Sequence, residues 1–318
     1  MKALVAGGGG FVGSHLCDAL LAAGFDVLCV DNLSTGRARN VAHLQGHPRF
    51  TFMQHDICQP FDAPADWVFQ LASPASPPRY LEHPIETMMV NAVGTQNLLE
   101  IARPSRGRFL VASTSEVYGD PEVHPQVESY RGSVSCTGPR SCYDEGKRFA
   151  EALTMAYHRA HGLDVRIIRI FNTYGPRLDP GDGRVVSNFL AEVLRGQPLT
   201  IFGSGEQTRS FCYVSDLVAG IMAVMQYPAG SGEVFNLGNP LERTMLELVR
   251  IIQDVLNVAL PTTYHPLPED DPRRRQPDIT KARTILGWEP KVALEDGLRR
   301  TADWFRDELA ADAVGAGR

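Results

Sequence analysis

The chain opens with Lys2-Ala-Leu-Val-Ala-Gly-Gly-Gly-Gly-Phe-Val-Gly13, an apolar run that leads directly into four glycines. Residues 2–6 predict a strand, and residues 14–23 predict a helix. Between them, Gly7, Gly10 and Gly13 have the spacing G-x-x-G-x-x-G. Glycines at a strand-to-helix turn let the backbone bend tightly and approach a pyrophosphate, which the helix N-terminus attracts. This context predicts a dinucleotide-binding fold.

A second predicted strand, residues 27–30, ends at Asp31, which lies 18 residues after Gly13. A carboxylate at this place accepts hydrogen bonds from the adenosine ribose and repels a 2′-phosphate, so we expect NAD rather than NADP. Arg37 and Arg39 in the following polar loop favour the opposite preference. We give Asp31 more weight because it stands at the end of a strand.

Strand and helix patterns alternate along the rest of the first half of the chain. Further strands are predicted at 49–54, 67–71, 109–113 and 165–170, with long helices at 84–103 and 143–161. This alternation predicts an α/β fold with a Rossmann-type, doubly wound parallel sheet.

The pattern changes after Phe171, where loop residues separate shorter elements. Short strands are predicted at 199–202 and 233–236, and helices at about 188–195, 244–257 and 294–309, with a frayed tail from Ala310. We therefore expect a smaller, mostly C-terminal α/β substrate-binding domain. The predicted boundaries are 1–171 for the NAD-binding domain, which also receives about 212–237, and 172–211 with 238–318 for the second domain.

Composition narrows the functional classes. The chain has 318 residues, 43% hydrophobic content and a net charge of −6, so we expect a globular protein without general affinity for nucleic acid or anionic membranes. No apolar run approaches the roughly 18 residues of a membrane span, and the N-terminal apolar run is too short for a secretion signal. We expect a cytoplasmic protein with six reduced cysteines and, from the histidine spacing, no metal site.

A Tyr-x-x-x-Lys pair marks the helix predicted at 143–161. Tyr143 and Lys147 are four residues apart and share one helix face. A nearby ammonium favours the phenolate of a tyrosine, whose free pKa is about 10. Thr114, at the end of the preceding strand, would hold the substrate hydroxyl whose proton Tyr143 removes. Taken alone, the pair is better explained as chance spacing on an amphipathic helix.

Longer blocks carry a resemblance. The glycine turn, Thr114, Tyr143 and Lys147 resemble the extended short-chain dehydrogenases/reductases that act on nucleotide sugars. More narrowly, residues 2 to about 300 resemble the UDP-glucuronic acid decarboxylases (UDP-xylose synthases). The blocks are Leu71-Ala-Ser-Pro-Ala-Ser-Pro-Pro78, Ser113-Thr-Ser-Glu-Val-Tyr-Gly-Asp-Pro121, Gly138-Pro-Arg-Ser-Cys-Tyr-Asp-Glu-Gly-Lys-Arg148, Arg169-Ile-Phe-Asn-Thr-Tyr-Gly-Pro176, Asp182-Gly-Arg-Val-Val-Ser-Asn-Phe189, Gln207-Thr-Arg-Ser-Phe211, Asp270-Asp-Pro and Arg275-Gln-Pro-Asp-Ile279.

Three positions depart from the family pattern. The glycine turn reads Ala6-Gly-Gly-Gly-Gly10, where the family usually has Thr before it and Ala within it. Gln70 stands where a His is usual, and Ser135-Cys136 stands where Asn-Pro is usual. The last change bears on the loop that precedes the catalytic helix.

The resemblance implies roles for individual residues. The implied catalytic residues are Thr114, Ser115, Glu116, Tyr143 and Lys147. The expected cofactor-binding residues are Gly7, Gly10, Phe11, Val12, Gly13, Asp31, Asn32, Asp56, Ile57, Leu71, Ser73, Tyr143, Lys147, Thr173 and Arg184. The implied substrate-binding residues are Thr114, Tyr143, Tyr157, Asn172, Asn188, Arg209 and Arg275.

Two of these positions have an alternative interpretation. Glu116 would position water or assist proton delivery at C5 of the sugar, or it is a surface carboxylate at a strand end. Arg275 would bind the substrate diphosphate, because a guanidinium is a bidentate partner for phosphate. For its neighbours Arg273 and Arg274 we prefer a solvated basic loop.

The implied reaction is the NAD-dependent decarboxylation of UDP-glucuronate to UDP-xylose. C4 of the sugar is oxidised, CO2 leaves from the resulting β-keto acid, and C4 is reduced again, so the cofactor should be tightly held. The alternatives are a nucleotide-sugar 4,6-dehydratase or 4-epimerase, and a catalytically silent NAD-binding module. Dehydratases typically have Asp-Glu after the Thr, where this chain has Ser115-Glu116, and epimerases usually lack the Glu. The resemblance also implies a homodimer through a four-helix bundle of residues 84–103 and 143–161.

Overall fold

A computed structural model describes residues 1–266 and 274–316. The strands are β1 (Lys2–Ala6), β2 (Asp26–Asp31), β3 (Phe50–Gln54), β4 (Trp67–Gln70), β5 (Arg108–Thr114), β6 (Val165–Ile170), β7 (Thr173–Tyr174), β8 (Leu199–Phe202), β9 (Thr208–Ser210), β10 (Cys212–Tyr213), β11 (Glu233–Leu237), β12 (Glu242–Thr244) and β13 (Thr262–His265). The helices are α1 (Phe11–Ala22), α2 (Pro77–Glu82), α3 (Pro84–Met89), α4 (Thr95–Ser105), α5 (Ser141–His161), α6 (Val185–Leu194), α7 (Val214–Gln226), α8 (Met245–Leu256), α9 (Thr280–Leu286) and α10 (Leu294–Ala316).

Seven strands form one parallel sheet in the order β3-β2-β1-β4-β5-β6-β11. The order reverses between β1 and β4, and the carboxyl ends of the strands open a crevice at such a switch point. The predicted Rossmann-type, doubly wound α/β fold is confirmed.

Both faces of the sheet are buried, which explains the continuous apolar runs of its strands. Along β1, Ala3 and Val5 pack into one core with helices α1 and α7, while Leu4 and Ala6 pack into a second core with α4 and α5. Because successive side chains of a strand point to opposite faces, a run without polar alternation can serve both cores.

A smaller α/β unit follows the main sheet. It contains the two-stranded pairs β9–β12 and β8–β13 and the mutually packed helices α6, α8 and α10. Helix α8 begins with a capping box between Thr244 and Glu247. Strand β11 returns to the large sheet beside β6, and the exact division into two domains stays a prediction.

Two helix predictions need correction. The helix expected at 84–103 is divided into α3 and α4 by a π-helical turn at Val90–Gly94. Gln70 lies against this turn, where its Nε2 donates to Val90 O at 3.2 Å. The helix expected to end at residue 309 continues to Ala316 as α10, so the frayed tail predicted from Ala310 is wrong. Alanines at 310, 311 and 313 are strong helix formers.

None of the helices in the described parts of the chain is both long and apolar enough to cross a membrane. Within the same residues, no group of His, Cys, Asp and Glu side chains is arranged to hold a metal ion. The cytoplasmic location stays a prediction.

Candidate active site

A cavity of about 730 Å³ opens at the carboxyl ends of the sheet strands, between the large sheet and the smaller unit. Most of the residues predicted from the sequence line it. They are Gly7, Gly10, Phe11, Val12, Gly13, Leu71, Ser73, Thr114, Ser115, Glu116, Tyr143, Lys147, Asn172, Thr173, Arg184, Asn188, Arg209 and Arg275.

The glycine turn forms one wall of this cavity. Gly7 has φ +80°, and a Cβ on Gly13 would lie 2.1 Å from Gly7 O, so neither position has room for another residue. Helix α1 starts at Phe11, and its first turn lines the cavity with its unpaired N–H groups. This cradle fits the pyrophosphate of a dinucleotide.

Asp31 is buried at the end of β2. Its Oδ2 accepts from Gly9 N and its Oδ1 from Leu33 N, both at 2.8 Å, while burial raises its pKa. Arg37 pairs with Asp179 and Glu308, and Arg39 pairs with Glu308 at 2.7 Å. Both arginines are thus engaged with acidic side chains of the second half of the chain.

Asp31, Asn32, Asp56 and Ile57 do not line the cavity. Asn32 Nδ2 donates to Asp56 Oδ2 at 3.4 Å, and Asn97 Nδ2 donates to Ile57 O at 2.8 Å. These contacts tie together the segments that follow β2 and β3. Their roles at the adenine end of a dinucleotide stay predictions.

Thr114, Tyr143 and Lys147 meet where β5 ends against α5. Thr114 Oγ1 accepts from Glu116 N at 3.2 Å and so caps the short 3-10 helix Ser115–Tyr118. Lys147 Nζ donates to Ala112 O at 2.9 Å and lies 5.8 Å from the centroid of the Tyr143 ring. Tyr80 of α2 stacks on that ring, with centroids 4.8 Å apart and planes inclined by 5°.

Burial sets the pKa values of Tyr143 and Lys147 in the protein alone. Burial raises the pKa of Tyr143 to about 12, although a hydrogen bond with Thr114 lowers it in part. Burial also lowers the pKa of Lys147 to about 7. Desolvation disfavours the charged form of both groups, and at Tyr143 it outweighs the hydrogen bond with Thr114 and the charge of Arg184, which favour the phenolate. The protein by itself therefore holds Tyr143 as a neutral phenol.

Glu116 is the centre of a charge cluster at the cavity wall. Arg275 donates to both of its oxygens, at 2.5 and 2.6 Å, and Arg140 donates to Oε2 at 2.6 Å. Burial would raise the pKa of Glu116, but the two guanidinium groups outweigh it and the pKa is lowered. The alternative of a solvated surface carboxylate does not fit this geometry.

Other predicted residues surround the same space. Arg184 is paired with Asp182, and its charge lowers the pKa of Tyr143, which places it close to the phenol. Asn172 Nδ2 donates to Ser210 O at 3.4 Å, and Asn188 Nδ2 donates to Gly183 O at 3.1 Å. Arg209 is buried in β9, where its Nη1 donates to Thr208 O at 2.8 Å.

The structure corrects the prediction that Tyr157 contacts the substrate. Its Oη donates to Glu100 Oε1 at 2.6 Å, and its ring packs into the core that α4 and α5 form against the sheet. Tyr157 does not line the cavity because it lies almost four helical turns beyond Tyr143 on α5.

The two loops singled out in the sequence lie at the edge of the site. Ser135 Oγ accepts from Gly138 N at 3.0 Å, so it orders the loop before α5, and Cys136 is exposed. Arg274 is exposed, in agreement with a solvated loop. Arg273 and the Asp270-Asp-Pro block lie outside the described residues.

Sequence reasoning missed Arg140 and Tyr80. Arg140 lies just before the start of α5, with its Nε 4.0 Å from Asp144 Oδ2, so it contacts both Asp144 and Glu116. The signal was present in Gly138-Pro-Arg140, an arginine at the start of the catalytic helix. For Tyr80 the only signal in the sequence was its position shortly after the Pro-rich block.

Comparison with known proteins identifies the class. Residues 4–301 match the family model described as GDP-mannose 4,6 dehydratase. A solved structure of UDP-glucuronic acid 4-epimerase from Bacillus cereus, in complex with UDP-glucuronic acid and NAD, is 30% identical, with a TM-score of 0.88 over 97% of this chain and 100% of that one. Fold and site thus define an extended short-chain dehydrogenase/reductase.

Curated relatives narrow this class. UDP-glucuronic acid decarboxylase 4 of Arabidopsis thaliana is 53% identical over 98% of this chain and 70% of its own length. UDP-glucuronic acid decarboxylase 1 of Xenopus tropicalis is 51% identical over 98% of this chain and 74% of its own. The chain therefore belongs to the UDP-glucuronic acid decarboxylase family.

Proposed function

We propose that this protein converts UDP-glucuronate to UDP-xylose and CO2, with NAD as a tightly held cofactor. The observation that carries the proposal is the Glu116–Arg275–Arg140 cluster beside Thr114 and Tyr143. Arg140 and Arg275 bring positive charge to this wall of the cavity, which suits an anionic nucleotide sugar. Arg275 and Arg140 lower the pKa of Glu116, and Ser115 is a poor acid, so neither residue after Thr114 is suited to protonate a departing C6 hydroxyl.

Thr114 and Tyr143 act at C4 of the sugar, and the chemistry at C4 allows the C6 carboxylate to leave. Tyr143 takes the proton of the C4 hydroxyl, and Thr114 orients that hydroxyl. When bound, NAD supplies a reversible oxidation at C4 and a positive charge that favours the phenolate. With C4 as a ketone, the C6 carboxylate leaves as CO2 and its electrons flow into an enolate. Thr114 and protonated Tyr143 donate hydrogen bonds to the enolate oxygen. C5 of the enolate then takes up a proton, and when the C4 ketone is reduced again Tyr143 returns its proton to the C4 oxygen.

The diphosphate end is assigned to the smaller unit of the fold. Arg209, Asn172 and Asn188 line the cavity there, and Arg275 stands between them and Glu116. Holding the diphosphate fixes the sugar so that the C5–C6 bond is oriented over the catalytic residues. The ammonium of Lys147, 5.8 Å from the centroid of the Tyr143 ring, favours the phenolate form of Tyr143.

The experiment is an NMR time course of the purified protein with UDP-glucuronate and no added NAD. UDP-xylose as the product supports the proposal and shows that the cofactor copurifies. A C4 epimer of UDP-glucuronate would support the runner-up, a 4-epimerase. If UDP-glucuronate does not react even with added NAD, the protein is tested with UDP-glucose and dTDP-glucose, and a 4-keto-6-deoxy product would identify a dehydratase.

Asp31 is proposed to set the preference for NAD. Replacing Asp31 with Ala is expected to reduce the ratio of NAD to NADP affinity at least about tenfold, because an acceptor for ribose hydroxyls and a charge that repels a 2′-phosphate are lost together. Calorimetric titration of the cofactor-free protein measures both dissociation constants. Asp26→Ala, at the exposed other end of β2, is the control. An unchanged ratio in Asp31→Ala would contradict the assignment.

A homodimer is proposed on an exposed apolar face of α3 and α5. Ile85 is 72% exposed and Phe149 51%, which is unusual for side chains of this size. The same face continues on both helices through Met88, Met89, Ala152, Ala156 and Ala160. These helices pack side by side in the monomer, so two copies would form the four-helix bundle implied by the resemblance.

A charge on this face should break the dimer. Phe149→Glu is expected to convert a dimer into a monomer in sedimentation analysis, because it would bury an unpaired carboxylate in the interface. Leu241→Glu serves as the control, since Leu241 is 63% exposed and lies away from α3 and α5. A monomeric parent protein, or a Phe149→Glu variant that stays dimeric, would contradict the proposed interface.

A further inference from the structure

The ammonium of Lys147 is buried and poorly solvated. Its side chain is buried, and Nζ donates to the carbonyl of Ala112. Burial is the main cause that lowers its pKa, and the negative charge of Glu151 is the influence that opposes it. Glu151 lies four residues further along α5, on the same face of the helix.

Three hydrogen bonds from two residues, Ser113 and Arg169, hold the carboxylate of Glu151 in place. Ser113 Oγ donates to Oε1 at 2.5 Å, Arg169 Nε donates to Oε1 at 2.9 Å, and Arg169 Nη2 donates to Oε2 at 2.8 Å. Arg169 is held in turn, because its Nη1 donates to Tyr118 Oη at 3.0 Å and to Glu128 O at 2.9 Å. A carboxylate fixed in this way exerts a constant field on its neighbours.

The groups that face Lys147 come from three elements. Helix α5 itself presents the Tyr143 ring and Glu151. Strand β5 contributes the carbonyl of Ala112, which accepts from Lys147, and Ser113, which donates to Glu151. Strand β6 contributes Arg169, which pairs with Glu151. The charges thus alternate in sign from Lys147 through Glu151 to Arg169.

We propose that Glu151 is a positioning residue of the active site: held by Arg169 and Ser113, it keeps Lys147 in its cationic form and ties the catalytic end of β5 to α5. The role rests on the proposed function insofar as the charge of Lys147 serves Tyr143. Glu151 itself does not line the cavity, so it acts through Lys147 and through Ser113.

The pKa of Lys147 can be measured directly. The chain has only four lysines, Lys2, Lys147, Lys281 and Lys291, so ¹³C-labelled lysine gives four resolvable side-chain signals, and Lys147→Arg assigns the relevant one. In Glu151→Gln, which keeps the shape of the side chain, the titration midpoint of Lys147 is expected to fall by about one pH unit, as the loss of one partly screened charge predicts. The alkaline limb of kcat should move to lower pH with it.

Two further variants separate charge from packing. Asp164→Asn removes another carboxylate paired with a buried arginine of β6, Arg166, and is expected to leave the Lys147 midpoint in place. Arg169→Gln removes the competing cation from Glu151, so the midpoint of Lys147 should rise, opposite to its change in Glu151→Gln.

The outcomes decide the proposal independently of turnover. An unmoved midpoint in Glu151→Gln, or an equal fall in Asp164→Asn, overturns it. If Glu151→Gln does not fold, Arg169→Gln decides: a rise supports the proposal, and a fall or no change overturns it. If the Lys147 midpoint shifts as expected but the protein makes no UDP-xylose, the role of Glu151 is supported and only the proposed function is overturned.

Discussion

Replacing Tyr143 with Phe is expected to lower kcat for UDP-xylose formation by about 10³-fold, within the range for loss of a general base. The variant keeps the ring that stacks on Tyr80 and loses only the hydroxyl that accepts the C4 proton. KM should change little, because the hydroxyl acts in the transition state more than in binding. Steady-state kinetics by NMR or by CO2 release measure both constants.

Tyr157→Phe is the matched control for this prediction. It is the same substitution on the same helix, and it removes a hydroxyl that donates to Glu100 away from the cavity. We expect kcat within about twofold of the parent, as is usual when one partly exposed hydrogen bond is lost far from the reacting atoms. A Tyr143→Phe variant with near-normal turnover would remove the catalytic assignment, and a slow Tyr157→Phe variant would restore the sequence-based prediction for Tyr157.

Arg275→Ala is expected to lower kcat/KM for UDP-glucuronate by about 10²-fold, chiefly through a higher KM, because charge-assisted hydrogen bonds to the substrate are lost. The same change removes the bidentate partner of Glu116, so the pKa of Glu116 should rise and the acidic limb of the pH–rate profile should move to higher pH. Full pH profiles of kcat and kcat/KM test both statements.

The neighbouring Arg274 provides the control. Arg274 is exposed, so Arg274→Ala removes an equal charge from the same loop without touching the cavity. Its kcat/KM should stay within about twofold of the parent at moderate ionic strength, where exposed charges are screened. Equal losses of kcat/KM in both variants would show that the loop acts through its overall positive charge. An unchanged KM in Arg275→Ala would contradict a contact between Arg275 and the substrate.

Local features of the fold were predictable from the sequence. The strand before Gly7 and the Tyr143–Lys147 pair depend on neighbours within one element, which local residue patterns reveal. The spacing from Gly13 to Asp31 spans one helix and one strand, and its fixed length is typical of the dinucleotide-binding unit. Family-specific blocks then identified Arg209 and Arg275 as lining residues, although no local rule would select them.

Contacts distant along the chain were not predictable in this way. Glu116 and Arg275 are 159 positions apart, and only the folded chain shows that they pair. The raised pKa of Tyr143 in the protein alone was not predictable either, because a sequence shows the nearby lysine but not the burial that disfavours the phenolate. Tyr157 shares a helix with Tyr143, but a helix this long carries its two ends into different surroundings.

The position of β11 restricts how this protein can be recombined with its relatives. Strand β11 completes the sheet beside β6, but residues 171–232, which lie outside this sheet, separate the two strands in the sequence. A fragment cut after residue 170 would leave β6 as a bare edge, open to pairing with another chain. Chimaeras that exchange nucleotide-sugar specificity must therefore be spliced at two junctions, with Glu233–Leu237 retained from the parent that supplies the N-terminal half.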